Sequence, residues 1–232
     1  MDEIEIPAEG PSPGFPAPGA TGPAGTPRQV DAGTLRSALD GFERIAAVGP
    51  AEGDAEPAVG SAVALAVSSR AGVPGIWLTR RSWSLRNHPG QFALPGGRVD
   101  PGEDDVTAAR RELVEELGVP VTEQNVIGLL DDYVTRSGYA MTPVVLWAGR
   151  DRGTAPNPDE VADVFFVPFD ELDVEPVFDR IPQSERPVIK LPRRGGYLHA
   201  PTAAVIYQFR EVVLRGEHTR VADFEQPVFA WR

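Results

Sequence analysis

Cysteine is absent from the 232-residue chain, and Lys190 is the single lysine among its 22 basic residues. Without cysteine there is no disulfide bond, no thiolate metal site and no cysteine nucleophile. Long apolar runs are also missing, since no stretch approaches the roughly 20 residues that span a bilayer. The N-terminal residues lack the basic and apolar regions of a signal peptide. These absences predict a cytoplasmic protein without a membrane partner.

Positive charge is scarce as well, because 34 acidic residues outnumber the 22 basic ones and give a net charge of −12. Nucleic acids and anionic membranes bind basic surfaces, so this excess argues against both as partners. One segment reverses the balance, since acidic residues are absent between Glu56 and Asp100. The arginines within that segment are Arg70, Arg80, Arg81, Arg86 and Arg98. Because the guanidinium fork suits phosphate groups, they predict a phosphate-rich ligand, with ordinary surface charge as the alternative interpretation.

Composition divides the chain into three parts. Residues 1–32 are rich in proline and glycine, and this composition predicts a disordered tail. Residues 33–60 are predicted to contain an N-terminal helix over 33–48 and a linker, and residues 61–232 a folded domain. The predicted helix rests on apolar residues at helical spacing, which are Leu35, Leu39, Phe42, Ile45 and Ala46.

Secondary structure within the domain is predicted from the spacing of apolar residues. Apolar and β-branched runs predict strands over 62–68, 75–79, 126–135, 142–147 and 164–167. A helical pattern follows over 202–214.

The most informative segment covers residues 97–119 and reads GRVDPGEDDVTAARRELVEELGV. Residues 100–102, Asp-Pro-Gly, predict a turn, and the acidic residues that follow favour the start of a helix. Gly118 has the position of a glycine that ends a helix. An apolar stripe between these ends predicts a helix packed on a core, and its members are Val106, Ala109, Leu113 and Leu117.

Three glutamates of this predicted helix, Glu112, Glu115 and Glu116, lie on one neighbouring face. Crowded carboxylates repel each other, and the flanking Arg110 and Arg111 offset that repulsion only in part. A solvated acidic face is one interpretation. The other is a site for a hard cation, because oxygen ligands suit Mg²⁺ and Mn²⁺. The full spacing favours the metal site, where a bound cation helps to activate water.

The same segment matches the Nudix box at every defining position: glycine, five residues, glutamate, seven residues, then Arg-Glu-aliphatic-x-Glu-Glu-x-Gly. The chain therefore resembles the Nudix pyrophosphohydrolase superfamily. The resemblance implies an α/β fold, an α/β/α sandwich with a mixed sheet, preceded by the tail and the helix. It also implies that Glu112 and Glu116 bind metal and that Glu115 binds metal or acts as general base. Arg111 would hold Glu103 and neighbouring glutamates by ion pairs.

Two further positions take a role from the resemblance. The carbonyl of Gly96 is a frequent additional metal ligand in relatives. Glu160 lies in a loop where some relatives supply a ligand or a base, and a plain exposed loop acid is the alternative interpretation.

Residues 78–97, LTRRSWSLRNHPGQFALPGG, resemble the signature of the coenzyme A pyrophosphatases within this superfamily. The substrate-binding residues that this resemblance implies are Arg80, Arg81, Arg86, His88, Gly90 and Gln91. The chain departs from the signature at Leu94, where phenylalanine is usual, and at 199–203, where Trp-Gly-x-Thr-Ala is usual. His199 is predicted to have a structural role.

The implied function is hydrolysis of the pyrophosphate in coenzyme A or acyl-CoA, dependent on Mg²⁺ or Mn²⁺, to 3′,5′-ADP and phosphopantetheine. A pyrophosphatase acting on ADP-ribose or another nucleoside diphosphate derivative is the alternative. A non-catalytic nucleotide-sensing module is a third interpretation. The expected partner is a nucleotide-type small molecule, and a homodimer is compatible with the sequence.

Overall fold

A computed structural model describes residues 30–47 and 58–231 of the chain. Most of the predicted tail and most of the predicted linker therefore lie outside the described residues. Within the described part, no helix is long and apolar enough to cross a membrane.

The largest sheet is mixed, and it is built around one long central strand. Its strands are β1 (Val59–Arg70), β2 (Val73–Arg81), β3 (Phe92–Ala93), β4 (Gly96–Arg98), β5 (Val126–Leu129), β6 (Tyr133–Val134), β7 (Tyr139–Arg150) and β8 (Val161–Pro168). β1 runs parallel to β7 and antiparallel to β2 and β4. β8 extends the sheet from β2, and β5 and β6 pair with β7.

Among the described residues, the remaining elements are four helices, short 3-10 turns such as Glu123–Asn125, and a small antiparallel sheet. The helices are α1 (Ala32–Leu39), α2 (Asp105–Leu117), α3 (Phe169–Leu172) and α4 (Thr202–Phe209), the last continued by a π-helical turn over Arg210–Arg215. The small sheet consists of β9 (Val177–Ile181), β10 (Ser184–Arg193) and β11 (Gly196–His199). A short 3-10 turn, Val228–Trp231, lies near the C-terminal end.

β1 separates two cores, because successive side chains of a strand point to opposite faces. The alanines at 62, 64 and 66 pack beneath α2, where Ala108, Ala109 and Leu113 complete one core. The larger side chains at 63, 65 and 67 pack with α1 and α4 in the other. Small side chains on the first face let α2 approach the sheet closely. The expected α/β/α sandwich with a mixed sheet is confirmed.

The N-terminal helix is shorter than predicted. Asp31 caps α1 by accepting a hydrogen bond from the Thr34 backbone N–H at 2.9 Å, and the helix ends at Leu39 instead of continuing to residue 48. Gly41 follows with φ +81°, a left-handed conformation that breaks the helical path. Phe42 packs on the core from this loop rather than from a helix. Phe42 therefore fits the spacing of a helical apolar stripe although it lies in a loop.

The predicted strand over 126–135 is divided into β5 and β6 by two aspartates. Asp131 Oδ1 accepts a hydrogen bond from the Ile45 N–H at 2.7 Å, and Asp132 Oδ2 accepts one from the Ala47 N–H at 2.8 Å. These bonds fasten the segment after α1 to the sheet. The other predicted strands and the helical pattern over 202–214 are confirmed, while β9, β10 and β11 were not predicted.

Candidate active site

The ends of α2 are fixed by local interactions that the sequence contains. Asp104 accepts a hydrogen bond from the Thr107 N–H at 2.7 Å and caps the N-terminus. At the other end, Gly118 has φ +63°, and its N–H donates to the carbonyls of Leu113 and Val114. The buried apolar stripe then sets the rotation of the helix against β1. Together these contacts determine which way the glutamates of α2 face.

Arg111 lies at the centre of a group of carboxylates. Its Nε and Nη2 donate to both oxygens of Glu103, at 3.1 and 3.0 Å. Its Nη1 donates to Glu112 Oε1 at 2.7 Å and to Glu115 Oε2 at 3.0 Å. Hydrogen bonds from Arg111 lower the pKa of Glu103. One cation thus orients three of the acidic side chains that the sequence singled out.

Carboxylate oxygens of Glu112 and Glu116 also lie against the backbone of two glycines. The Gly96 N–H donates to Glu116 Oε1 at 3.3 Å. A Cβ at residue 97 would lie 2.3 Å from Glu112 Oε1, and one at residue 96 would lie 2.5 Å from the Ala62 carbonyl oxygen. Glycine at 96 therefore permits the close approach of β4 to β1, and glycine at 97 leaves room for the Glu112 carboxylate.

Glu116 is a buried carboxylate with an exposed fraction of 6%. Within the described part of the chain, no basic side chain lies at ion-pair distance from it. Burial raises its pKa to about 8, the charges of Glu112 and Glu160 contribute to the rise, and Arg81 opposes it. Burial also raises the pKa of Glu112. Buried anionic oxygens without a counter-charge fit a hard cation that prefers oxygen ligands.

Metal-binding geometry is not already formed among residues 30–47 and 58–231, where no three His, Asp or Glu side chains are grouped as a metal site. Glu112 and Glu115 direct oxygens to Arg111 instead. The chemistry of the donor set fits a cation, while the side-chain positions are those of an arginine-linked cluster.

Glu160 is placed beside these residues by its loop. The Asn157 N–H donates to the Glu116 carbonyl at 2.9 Å, and the Asn157 side chain donates to Glu160 Oε2 at 3.3 Å. The Ser82 N–H donates to the Glu160 carbonyl at 2.8 Å. The structure therefore brings the exposed Glu160 near α2, where its charge acts on Glu112 and Glu116.

A cavity of about 740 Å³ opens beside Gly96 and Gly97, which both line it. From the arginine-rich segment, Arg81, His88 and Gln91 reach its wall. Burial, and then the charge of Arg81, lower the pKa of His88, so the imidazole is neutral at pH 7. None of the described residues that line the cavity is acidic.

Three of the sequence-predicted binding residues do not line the cavity. Arg80 precedes Arg81 on β2 and stacks over the ring of Phe92 at 4.9 Å, with its Nε 3.5 Å from Asp163. Arg86 is exposed. Gly90 has φ +69°, and the ring of Trp83 covers the position that a Cβ would occupy.

Other cavity residues were not among the predicted substrate-binding residues. Arg98 follows Gly97 on β4, and its Nε donates to the Tyr139 hydroxyl at 3.0 Å. His199 and Phe229 line the cavity from far along the chain. Arg98 belongs to the arginine-rich segment that predicted a phosphate-rich ligand, whereas no spacing connects residues 199 and 229 with the box.

Comparisons with known proteins identify the family of the chain. Residues 59–191 match the NUDIX domain. Uncharacterized Nudix hydrolase NudL of Pectobacterium atrosepticum is 41% identical over 99 residues, covering 42% of this chain and 52% of that protein. Nudix hydrolase 3 of Caenorhabditis elegans is 39% identical over 105 residues, covering 44% of this chain and 44% of that protein. The chain thus spans about half the length of the curated relatives it matches.

Among solved structures, the Nudix hydrolase RenU from M. smegmatis has a TM-score of 0.45 and 23% identity, and covers 68% of this chain and 86% of that one. The domain match extends over more than half of the 232 residues and includes α2, Arg111 and the two glycines of β4. The chain belongs to the Nudix hydrolase family.

Proposed function

We propose that this chain is a divalent-cation-dependent pyrophosphohydrolase and that its substrate is coenzyme A or an acyl derivative. The observation that carries the proposal is the meeting of Glu112 and Glu116 with Gly96 and Gly97. Those glycines contact the carboxylates and also form part of the cavity wall. A phosphate group in the cavity would therefore lie next to the acidic cluster.

The charge of the cavity favours an anionic substrate. Arg81 and Arg98 line it, and acidic side chains are absent from the described lining, although the whole chain carries a net charge of −12. Arg81 Nε is buried and has no hydrogen-bond partner within the described residues. A phosphate oxygen would pair with this donor. The volume of about 740 Å³ lies in the range of small-molecule sites.

The residues that would hold the cation are Glu112, Glu115 and Glu116, with the Gly96 carbonyl as a further oxygen donor. Bound Mg²⁺ or Mn²⁺ would polarise a phosphoryl oxygen and lower the pKa of an attacking water. Arg111 restricts the positions of Glu112 and Glu115 through its hydrogen bonds to their oxygens.

A general base must accept a proton from the attacking water. Glu115 is half-exposed and fixed by one hydrogen bond to Arg111. Glu160 is exposed and is oriented by Asn157. Either carboxylate is a candidate for this base, and the loss of the acidic limb of the pH–rate profile in Glu115→Gln or in Glu160→Gln would identify which.

Coenzyme A is favoured over other pyrophosphates by the segment that resembles the coenzyme A pyrophosphatases. Arg81, His88 and Gln91 belong to that segment, and all three line the cavity. ADP-ribose and related nucleoside diphosphate derivatives are the alternative substrates, and they would use the same acidic cluster.

Product analysis tests the proposal. The full chain is incubated with Mg²⁺ or Mn²⁺ and, separately, with coenzyme A, ADP-ribose or a dinucleotide, with chelator-treated samples as controls. We expect 3′,5′-ADP from coenzyme A to form faster than AMP from the other two, and chelation to stop it. AMP from the others alone would overturn the coenzyme A assignment. Tight retention of ligand without turnover would favour a nucleotide sensor.

Cytoplasmic localisation and a homodimeric state are further parts of this proposal. They rest on the sequence, and cell fractionation and light scattering of the purified chain would check them.

A further inference from the structure

The cavity extends from the glycines of β4 to a second set of residues, which we call the far wall: Tyr197, His199 and Phe229. Tyr197 and His199 belong to β11, and Phe229 belongs to the 3-10 turn Val228–Trp231. All three lie beyond residues 59–191, the part that matches the NUDIX domain. The far wall therefore lies outside the part of the chain that matches the domain.

The far wall is aromatic and open to a ligand. His199 and Phe229 pack edge to face, with ring centroids 5.1 Å apart at 89°, and Tyr197 lies 6.4 Å from His199. Tyr197 and Phe229 retain exposed fractions of 44% and 56%. Half-exposed aromatic rings that border a cavity provide apolar planar surface for a ligand.

His199 adds to this surface a nitrogen atom that needs a hydrogen-bond partner. Its Nδ1 is buried and has no hydrogen-bond partner within the described part of the chain. Burial, and then the charge of Lys190, lower the pKa of His199, so the ring is neutral at pH 7 and its nitrogens can accept or donate. Buried polar atoms without partners are rare in folded proteins. A ligand with a polar group would satisfy this nitrogen.

The far wall is held in place by contacts around Arg136. The Arg136 N–H donates to Gln226 Oε1 at 2.6 Å, and its guanidinium stacks over the ring of Trp231 at 5.1 Å. Trp231 Nε1 donates to the Gln226 carbonyl at 3.0 Å. These bonds fasten both sides of Phe229 to the main sheet. The aromatic surface is thus ordered before a ligand binds, which reduces the entropy lost on binding.

We infer that the far wall binds the planar heteroaromatic base of a nucleotide whose phosphates lie near Gly96 and Gly97. This inference rests on the proposed function. A base offers both a stacking face and ring nitrogens or an exocyclic amine. A saturated acyl chain would cover the rings but would leave a buried nitrogen without a partner, which is unfavourable. A pantetheine arm has amides that could pair with this nitrogen but no planar aromatic face for the rings. The combination of aromatic rings with the polar atom of His199 therefore favours the base over the arm.

A pair of probes that differ only in the base tests the inference: AMP and ribose 5-phosphate, titrated calorimetrically into the full chain with Mg²⁺. We expect the unmodified chain to bind AMP more tightly than ribose 5-phosphate. Phe229→Ala and His199→Leu should each weaken AMP binding about tenfold, as loss of base stacking does elsewhere. Binding of ribose 5-phosphate should change by less than about twofold, which also shows that the variants fold.

Matched controls are available outside the cavity. Phe178 has a similar exposed fraction, 46%, and His218 is an exposed histidine, and neither lines the cavity. Phe178→Ala and His218→Leu should bind both probes like the unmodified chain. His199→Gln retains a hydrogen-bonding side chain and should recover part of the AMP affinity that His199→Leu loses.

Several outcomes would overturn the inference. They are equal affinity of the unmodified chain for both probes, equal weakening of both probes in the variants, and weakened binding of phosphopantetheine with AMP unaffected. Because binding is measured without turnover, the two proposals fail separately. If the chain hydrolyses none of the substrates but shows the expected pattern of AMP binding, the base site is supported and the proposed pyrophosphohydrolase activity is refuted.

Discussion

Two buried glutamates, Glu116 in α2 and Glu225 near the C-terminal end, have opposite electrostatic surroundings. Glu116 is 6% exposed, has no ion pair within the described residues, and has a pKa that burial raises to about 8. Glu225 is 1% exposed and receives hydrogen bonds from Arg136 and Arg186. Burial opposes its ionisation, but these bonds and the Gln226 N–H lower its pKa to about 2.

The contrast separates a charge that stabilises the fold from one that does not. Glu225 joins the turn between β6 and β7, the strand β10 and the C-terminal segment through its arginine partners. Its ionised form therefore contributes to folding stability. Glu116 lowers stability when it is ionised without a counter-charge, and such residues are concentrated at functional sites. Substitution of Glu116 should therefore mainly reduce activity, and substitution of Glu225 should mainly reduce stability.

The largest expected effect is on activity at Glu116. Glu116→Gln keeps the size and the hydrogen bond from Gly96 but removes one anionic ligand from the proposed cation site. We expect turnover to fall between about a hundredfold and a thousandfold. The melting temperature should stay unchanged or rise, because the neutral amide removes the cost of ionising a buried carboxyl group. Initial rates with Mg²⁺ and calorimetric melting measure both quantities.

The control for this substitution is Glu123→Gln, which alters an exposed glutamate outside the cavity. Unchanged turnover in Glu116→Gln, or an equal loss in both variants, would refute the assignment of Glu116 to the cation site.

The second effect is on stability at Glu225. A lowered pKa stabilises the native state fully above the ordinary value of 4.5, and this contribution is lost as the pH falls through about 2. The shift corresponds to roughly 3 kcal/mol. Glu225→Gln should therefore lower the free energy of unfolding by about that amount at pH 7, and the difference from the unmodified chain should vanish near pH 2. Urea denaturation over a pH series measures it.

Glu217→Gln changes an exposed glutamate and serves as the control for Glu225. A stability difference that stays constant down to low pH would mean that packing, rather than the ion pairs, accounts for the effect.

The third effect concerns the contact between β4 and α2. A Cβ at Gly97 would lie 2.3 Å from Glu112 Oε1, so Gly97→Ala must displace this carboxylate. A displacement of that size should reduce turnover about a hundredfold with a smaller change in stability. Gly60→Ala is the control, because its Cβ would meet Val99 at an ordinary 3.6 Å. Similar turnover in both variants would show that the position of Glu112 does not matter.

The acidic cluster was predictable from sequence because its determinants are local. The cap at Asp104, the glycine at 118 and the pairing of Arg111 with Glu103 all occur within one turn and one helix. A single pattern of spacing therefore contains most of that geometry. The orientation of the Arg80 side chain, opposite to that of Arg81, was also predictable, because neighbouring residues of a strand face opposite sides of the sheet.

The far wall was not predictable in this way. β9 and β11 are mostly polar or half-exposed, so they lack the apolar alternation that identifies a strand. His199 and Phe229 reach the cavity only through the pairing of β10 with β11 and the contacts of Arg136 with the C-terminal segment. The end of α1 was mispredicted for a related reason, because Phe42 packs on the core from a loop. Tertiary contacts, rather than spacing, determine these positions.

The smallest expected effect distinguishes two adjacent arginines that sequence alone treats alike. Both arginines have a buried Nε without a hydrogen-bond partner among the described residues, but Arg81 lines the cavity, while Arg80 stacks on Phe92 and does not line it. Arg81→Lys keeps the charge but loses the forked donor, so KM should rise about tenfold with little change in kcat. Arg80→Lys should change KM by less than about twofold, because its site is structural. Steady-state kinetics with coenzyme A compares them. Equal increases in KM would mean that Arg80 binds substrate as well. A larger increase in KM for Arg80→Lys would mean that the phosphates bind on the other face of β2.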